Sequence, residues 1–170
     1  LTFGGAISFE VFKDKSNKWH YARYASLINV TIQNVATNSG NGGAIYWAGD
    51  NGYMYNVTIF NASSNSKYNT EANGGAIYLS GSNGNFNNVT ISLSSSNNNN
   101  PAMSNSANGG AIYVSGKANT FTNVTIDESQ ASSVRMDANG GAIYWSGSSG
   151  SLINASISNT LANGKGGAIY

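Results

Sequence analysis

Apolar residues recur along this chain in short alternating runs, not in helical steps. Ile45 and Trp47 flank Tyr46, and the same beat returns at Ile77–Leu79, Ile112–Val114 and Ile143–Trp145. A period of two predicts strands with one face buried. Each run follows Gly-Gly-Ala. The phrase NGGAIY starts at Asn41, Asn73, Asn108 and Asn139, with a related GGAISF at Gly4 and a last GGAIY at Gly166. The position after the tyrosine is Trp47, Leu79, Val114 or Trp145, and Phe9 in the first copy. It varies but stays apolar, as a core column does.

A second motif lies between the first ones: NVTI at Asn29, Asn56, Asn88 and Asn123, and NASI at Asn154. The Gly-Gly pairs are separated by 38, 32, 35, 31 and 26 residues. From Gly42, Gly74, Gly109 and Gly140 to the following motif asparagine is 14 residues every time, whereas from Gly4 to Asn29 it is 25. One arc of each unit is therefore held to length and the other is free to bulge. That is the signature of a solenoid, each unit being one coil. The apolar column of the second arc is Leu27, Met54, Phe86, Phe121 and Leu152. Met54 and Val57 are three apart, so both are buried only if the chain bends between them. Asn56 tolerates the left-handed backbone that such a bend needs. The expectation is an inward ladder of amides at Asn29, Asn56, Asn88, Asn123 and Asn154. A positive φ is likewise expected at Gly49, Gly81, Gly116 and Gly147.

These patterns predict an all-β chain: a right-handed, single-stranded parallel β-helix of about five coils. Residues 1–170 form one solenoid segment, with an insertion within 8–24. At about 4.8 Å per coil neighbouring coils of the same chain bury one another's apolar columns, so a lone coil is not expected to fold. The chain begins at Leu1 without a signal peptide and stops within a motif, which reads as a piece of a longer repeat protein. Helices are disfavoured by Gly-Gly pairs inside every unit.

Composition narrows the function. Charged residues are 9% of the chain and the net charge is +1, so the basic stripe of a nucleic-acid binder is missing. No apolar run is long enough to insert directly into a membrane as a helix. There is no cysteine to form disulfides or ligate zinc, and no acidic loop with calcium-ligand spacing. No cofactor or metal is expected.

The GGAI units resemble the repeats of chlamydial polymorphic outer-membrane proteins. The fuller GGAIYW…G…NVTI pattern is more similar to the adhesin-like surface proteins of methanogenic archaea. The chlamydial companion motif FxxN is not cleanly present, since Phe86 and Phe121 sit two residues before the asparagine. The resemblance implies a large secreted cell-surface protein with a β-helical body and a role in attachment. It brings no catalytic residues.

Several residues are candidates for contact with a partner. If Ile45 and Trp47 point inward, Tyr46, Tyr78, Tyr113 and Tyr144 point outward, with Tyr170 in register. Their rings are suited either to a cell-surface glycan or protein, or to stacking on one another. The reversed register, with tyrosine buried, is the alternative. The insertion SFEVFKDKSNKWHYARY holds six of the fifteen charges and the only histidine. It is expected to fold as a hairpin across KDKSNK, offering Trp19, Tyr21 and Tyr24 for binding or serving as a packing flap. The five motif asparagines also fit N-x-S/T, as does Asn61. An inward amide is closed to a glycosyltransferase, which leaves Asn61 as the glycosylation candidate. Thr31, Thr58, Thr90, Thr125 and Ser156 form one hydroxyl column, fewer than the two an ice-binding face uses. Polysaccharide enzymes also use β-helices, but the seven acids here share no column. The expected function is extracellular attachment, with a plain structural stalk or surface filament as the alternative and an enzyme less favoured.

Overall fold

The structure, a computed structural model, describes residues 4–38, 40–66, 71–101 and 105–170. In chain order its first strands are β1 (Ile7–Phe9), β2 (Val11–Lys13), β3 (Trp19–Tyr21), β4 (Ser26–Thr37) and β5 (Ile45–Trp47). Then come β6 (Tyr53–Ser66), β7 (Ala72–Asn73), β8 (Ile77–Leu79), β9 (Asn85–Asn98) and β10 (Ala107–Asn108). The last are β11 (Ile112–Val114), β12 (Thr120–Ser133), β13 (Ile143–Trp145) and β14 (Ser151–Ala162). There is no helix among the described residues.

The strands stack in parallel as a β-solenoid. One five-stranded sheet runs β1-β5-β8-β11-β13 and the other β4-β6-β9-β12-β14, with β7 and β10 pairing at a corner between them. Register follows the motifs: Tyr46 lies opposite Tyr78, which lies opposite Tyr113, and Val57 opposite Val89. The period-two run is used as its pattern suggests. Ile45 and Trp47 are fully buried, and Tyr46 between them faces out. Phe9, Phe86 and Phe121 join Trp47 and Trp145 in a chain of aromatic contacts through the core.

The long strands turn two corners. Asn29, Asn56, Asn88, Asn123 and Asn154 have φ between 52° and 55°, so the bend expected there is present. Five residues further on, Asn34, Asn61, Leu93, Glu128 and Asn159 repeat it at φ 50° to 56°. Each long strand thus lays down three straight segments. The third belongs to the arc whose length varies, and its regularity is absent from the sequence expectations. In the three middle coils its inward residues are small: Ala62, Ser94 and Ser129 in one column, Ser64, Ser96 and Ala131 in the next.

The Gly-Gly pair explains that smallness. Its first member adopts a left-handed turn, as at Gly42 with φ 72°. The second lies where the third segment crosses the corner. A Cβ on Gly75 would sit 2.0 Å from the Gly110 carbonyl oxygen and 2.5 Å from the Ser95 carbonyl carbon. Backbone meets backbone there, and no larger residue fits. The expectation for Gly49, Gly81, Gly116 and Gly147 is corrected: none has a positive φ. Gly81, Gly116 and Gly147 are glycines because each stacks on the one before, a Cβ on Gly81 falling 2.0 Å from the Gly49 oxygen, and Gly49 because it lies against the Ala22 carbonyl. The left-handed residue is two places on, at Asn51, Asn83, Ala118 and Ser149.

Candidate functional site

A tyrosine following each buried isoleucine must project from the sheet, and parallel register places successive tyrosines one above another. The rings of Tyr46, Tyr78, Tyr113, Tyr144 and Tyr170 stack with centroids 5.0, 5.1, 5.0 and 5.3 Å apart. The first three of these pairs are parallel within 5°. Partial burial pushes the hydroxyls of Tyr46, Tyr78 and Tyr113 above their ordinary value of 10.0, while hydrogen bonds with Ser80, Ser115 and Ser146 hold them back. Chemically, such a ladder has spent its flat faces. Between Tyr46 and Tyr144 it offers a partner ring edges and hydroxyls, not open aromatic faces.

The motif asparagines also form a column. Asn56 Nδ2 donates to Asn29 Oδ1 at 2.9 Å, Asn88 to Asn56 at 3.0 Å, and Asn154 to Asn123 at 3.3 Å. At the remaining step Asn123 donates to Asn87 instead, at 3.4 Å. The inward placement expected of Asn29, Asn56, Asn88, Asn123 and Asn154 is wrong, because all five are solvent-exposed. Met54 and Val57 fill the concave side of the corner, so the amide occupies the convex side. Asn61 is exposed as well and donates to Asn34 at 2.8 Å. Burial therefore does not separate Asn61 from the five. The buried amide ladder runs through the asparagine of NGG. Asn73 and Asn108 are almost wholly buried, and the Asn108 amide and backbone both donate to Asn73 Oδ1, at 3.1 and 3.2 Å. Asn139 repeats the backbone contact on Asn108 at 3.1 Å.

The insertion forms the antiparallel hairpin β2–β3, pairing Val11 with Tyr21, Phe12 with His20 and Lys13 with Trp19. Asp14 turns it, accepting from the Ser16 and Lys18 backbone and meeting His20 Nε2 at 2.9 Å. The His20 contact, more than the backbone bonds, holds the Asp14 carboxyl below its usual range. Trp19, Tyr21 and Tyr24 are 51%, 50% and 77% exposed. Cations sit over two of these rings, Lys13 Nζ 4.9 Å from Trp19 and the Arg23 guanidinium 4.8 Å from Tyr21. The hairpin's other face stacks Phe12 on His20 at 5.0 Å, beside a cleft of about 400 Å³ that also touches Ser8 and Glu10.

One face has no counterpart among the sequence expectations. The first segments of the long strands carry two outward columns: Ser26, Tyr53, Asn85, Thr120, Ser151 and, beside it, Ile28, Tyr55, Asn87, Thr122, Ile153. Tyr53 and Tyr55 are 37% and 45% exposed, and among the described residues neither ring stacks on another. They escape a repeat search because no other coil has tyrosine there. On the third side, a groove of about 430 Å³ is lined by Asn38, Asn65, Asn97 and neighbouring polar residues. The thirty-odd-residue coil, the parallel register and the outward aromatics together define a parallel β-solenoid with solvent-facing side-chain columns. Compared with protein families, curated proteins and solved structures, the chain matches none.

Proposed function

We propose that this chain is the rigid β-helical stretch of an extracellular, adhesin-like cell-surface protein, and that its work is presentation. Stacked coils hold outward columns and a hairpin away from the cell, where they attach to a cell-surface glycan or protein. The observation that carries this reading is the number of large apolar side chains left in solvent on the first two coils: Trp19, Tyr21 and Tyr24 on and beside the hairpin, and Ile28, Tyr53 and Tyr55 on the long strands. Large apolar side chains held in solvent beside a well-filled interior mark contact surfaces. Binding is favoured over catalysis by the carboxylates, which are engaged singly: Asp14 with His20, and Asp127 with Ser158 and Asn159. Glycoside hydrolysis uses two carboxylates across one bond.

A second reading, a stalk or surface filament whose binding part lies elsewhere, is favoured by the self-stacked tyrosines, which stiffen the rod and leave little open aromatic surface. Probing arrays of glycans and of cell-surface proteins with the folded chain separates the two. Attachment predicts reproducible binding to a defined glycan or protein class. Binding to nothing on either array contradicts it and leaves the stalk.

A further inference from the structure

We propose that the outward face centred on Tyr53 and Tyr55 is a binding platform for a neutral, extended polysaccharide. This rests on the attachment reading and names a site and ligand class for it. Besides the rings of Tyr24 and Phe60, isolated among the described residues, and the Phe12 ring stacked on His20, the aromatic rings of the surface fall into three groups. Those of the Tyr46 ladder are stacked on one another. Trp19 and Tyr21 lie under Lys13 and Arg23. Tyr53 and Tyr55 alone combine exposure, neighbouring positions on one strand and rings free of stacking among the described residues. They lie side by side on one rung, two residues or about 6.6 Å apart, so a sugar of a chain running down the rod can rest against both.

The surroundings specify the ligand. The rungs after Tyr53 and Tyr55 present Asn85 and Asn87, then Thr120 and Thr122, in register down the rod. Amides and hydroxyls beneath aromatic rings match a ligand with apolar ring faces and hydroxyl edges, which is a sugar. The rungs recur at the 5.0 Å spacing of the tyrosine ladder, close to the advance per pyranose of an extended glycan chain. Successive sugars therefore meet successive rungs. None of the outward residues of these two columns is charged, although the hairpin has six charges within 8–24. An anionic polysaccharide finds no counter-charge here, so the fit is to a neutral one.

Affinity electrophoresis tests this: native gels containing mixed-linkage β-glucan, xylan or mannan, with polygalacturonate as the acidic comparison. The expected result is retardation of the chain by at least one neutral polysaccharide. Tyr53→Ala/Tyr55→Ala should weaken it at least about tenfold, while Val134→Ala/Met136→Ala, a change at two exposed apolar residues outside this face, leaves it in place. Tyr53→Asn/Tyr55→Asn copies the residues of the next rung and serves if the alanine variant does not fold. Neutral binding that survives loss of both tyrosines, or retardation by polygalacturonate alone, overturns this site and leaves the attachment reading standing. No retardation by any polysaccharide overturns it too, and binding to the protein array then assigns the attachment to a protein partner.

Discussion

Single residues set the corners of this molecule, and their backbone angles say which are well chosen. At the second corner Asn34, Asn61 and Asn159 accept a left-handed conformation readily, but Leu93 holds φ 52° and is 43% exposed, so nothing in the core requires leucine there. A branched side chain in that region costs about 1 kcal/mol or more. Leu93→Asn should raise stability by about 1 kcal/mol, seen as a higher urea midpoint with unchanged slope, and its amide would extend the Asn34–Asn61 pair. A second residue-scale prediction concerns the tyrosines. Tyr46, Tyr78 and Tyr113 have pKa values raised by partial burial. The folded state therefore holds these protons more tightly than the unfolded state. Their contribution is complete below the ordinary value of 10.0 and lost as pH rises through the raised values. Urea midpoints should be flat from about pH 8 to 9 and fall above about pH 10, and Tyr78→Phe should blunt that fall. The motif asparagines were misplaced at this same scale. A bend was legible in the three-residue gap between Met54 and Val57, but which side of it the amide takes depends on the core packed behind.

At the scale of the element, a coil is a set of straight segments joined where backbone touches backbone. Two segments were legible because they alternate apolar and polar residues. The third, NASSNS after Phe60 or SLSSSNN after Ile91, was not. Its inward positions are Ser and Ala, because the second glycine of the inner pairs, Gly43, Gly75, Gly110 and Gly141, brings the opposite strand within contact and leaves no volume for a large side chain. The five-residue step from Asn29 to Asn34, Asn56 to Asn61 and Asn154 to Asn159 was the available signal. The corner predicts a sharp contrast between glycines of the same motif. Gly75→Ala, with a Cβ at 2.0 Å from a carbonyl oxygen, should cost more than about 4 kcal/mol. Gly167→Ala, with nothing within 4 Å, should change stability by less than about 0.5 kcal/mol. Equal losses in chemical denaturation would mean that the third segment does not cross where described.

On the scale of the whole molecule, repetition builds the rod and departures from repetition mark its candidate contacts. The repeated residues of GGAIY and NVTI are accounted for by turns, close approaches, core columns and ladders. The hairpin and the Tyr53–Tyr55 pair occur once each, and both leave aromatic rings in solvent. That division was half visible in the sequence. The insertion announced itself by length and charge, whereas the tyrosine pair sat inside a regular strand and emerged only when register placed it beside uncharged columns. Among the described residues no helix is long and apolar enough to cross a membrane, and the attachment proposal needs only the outer faces. Its central claim is that scaffold and contact surface are separable. The direct measurement is urea unfolding and polysaccharide affinity on the same preparations of wild type and Tyr53→Ala/Tyr55→Ala. The account predicts an unfolding free energy within about 0.5 kcal/mol of wild type together with at least about tenfold weaker binding. A variant that unfolds early, or that binds as wild type does, contradicts it.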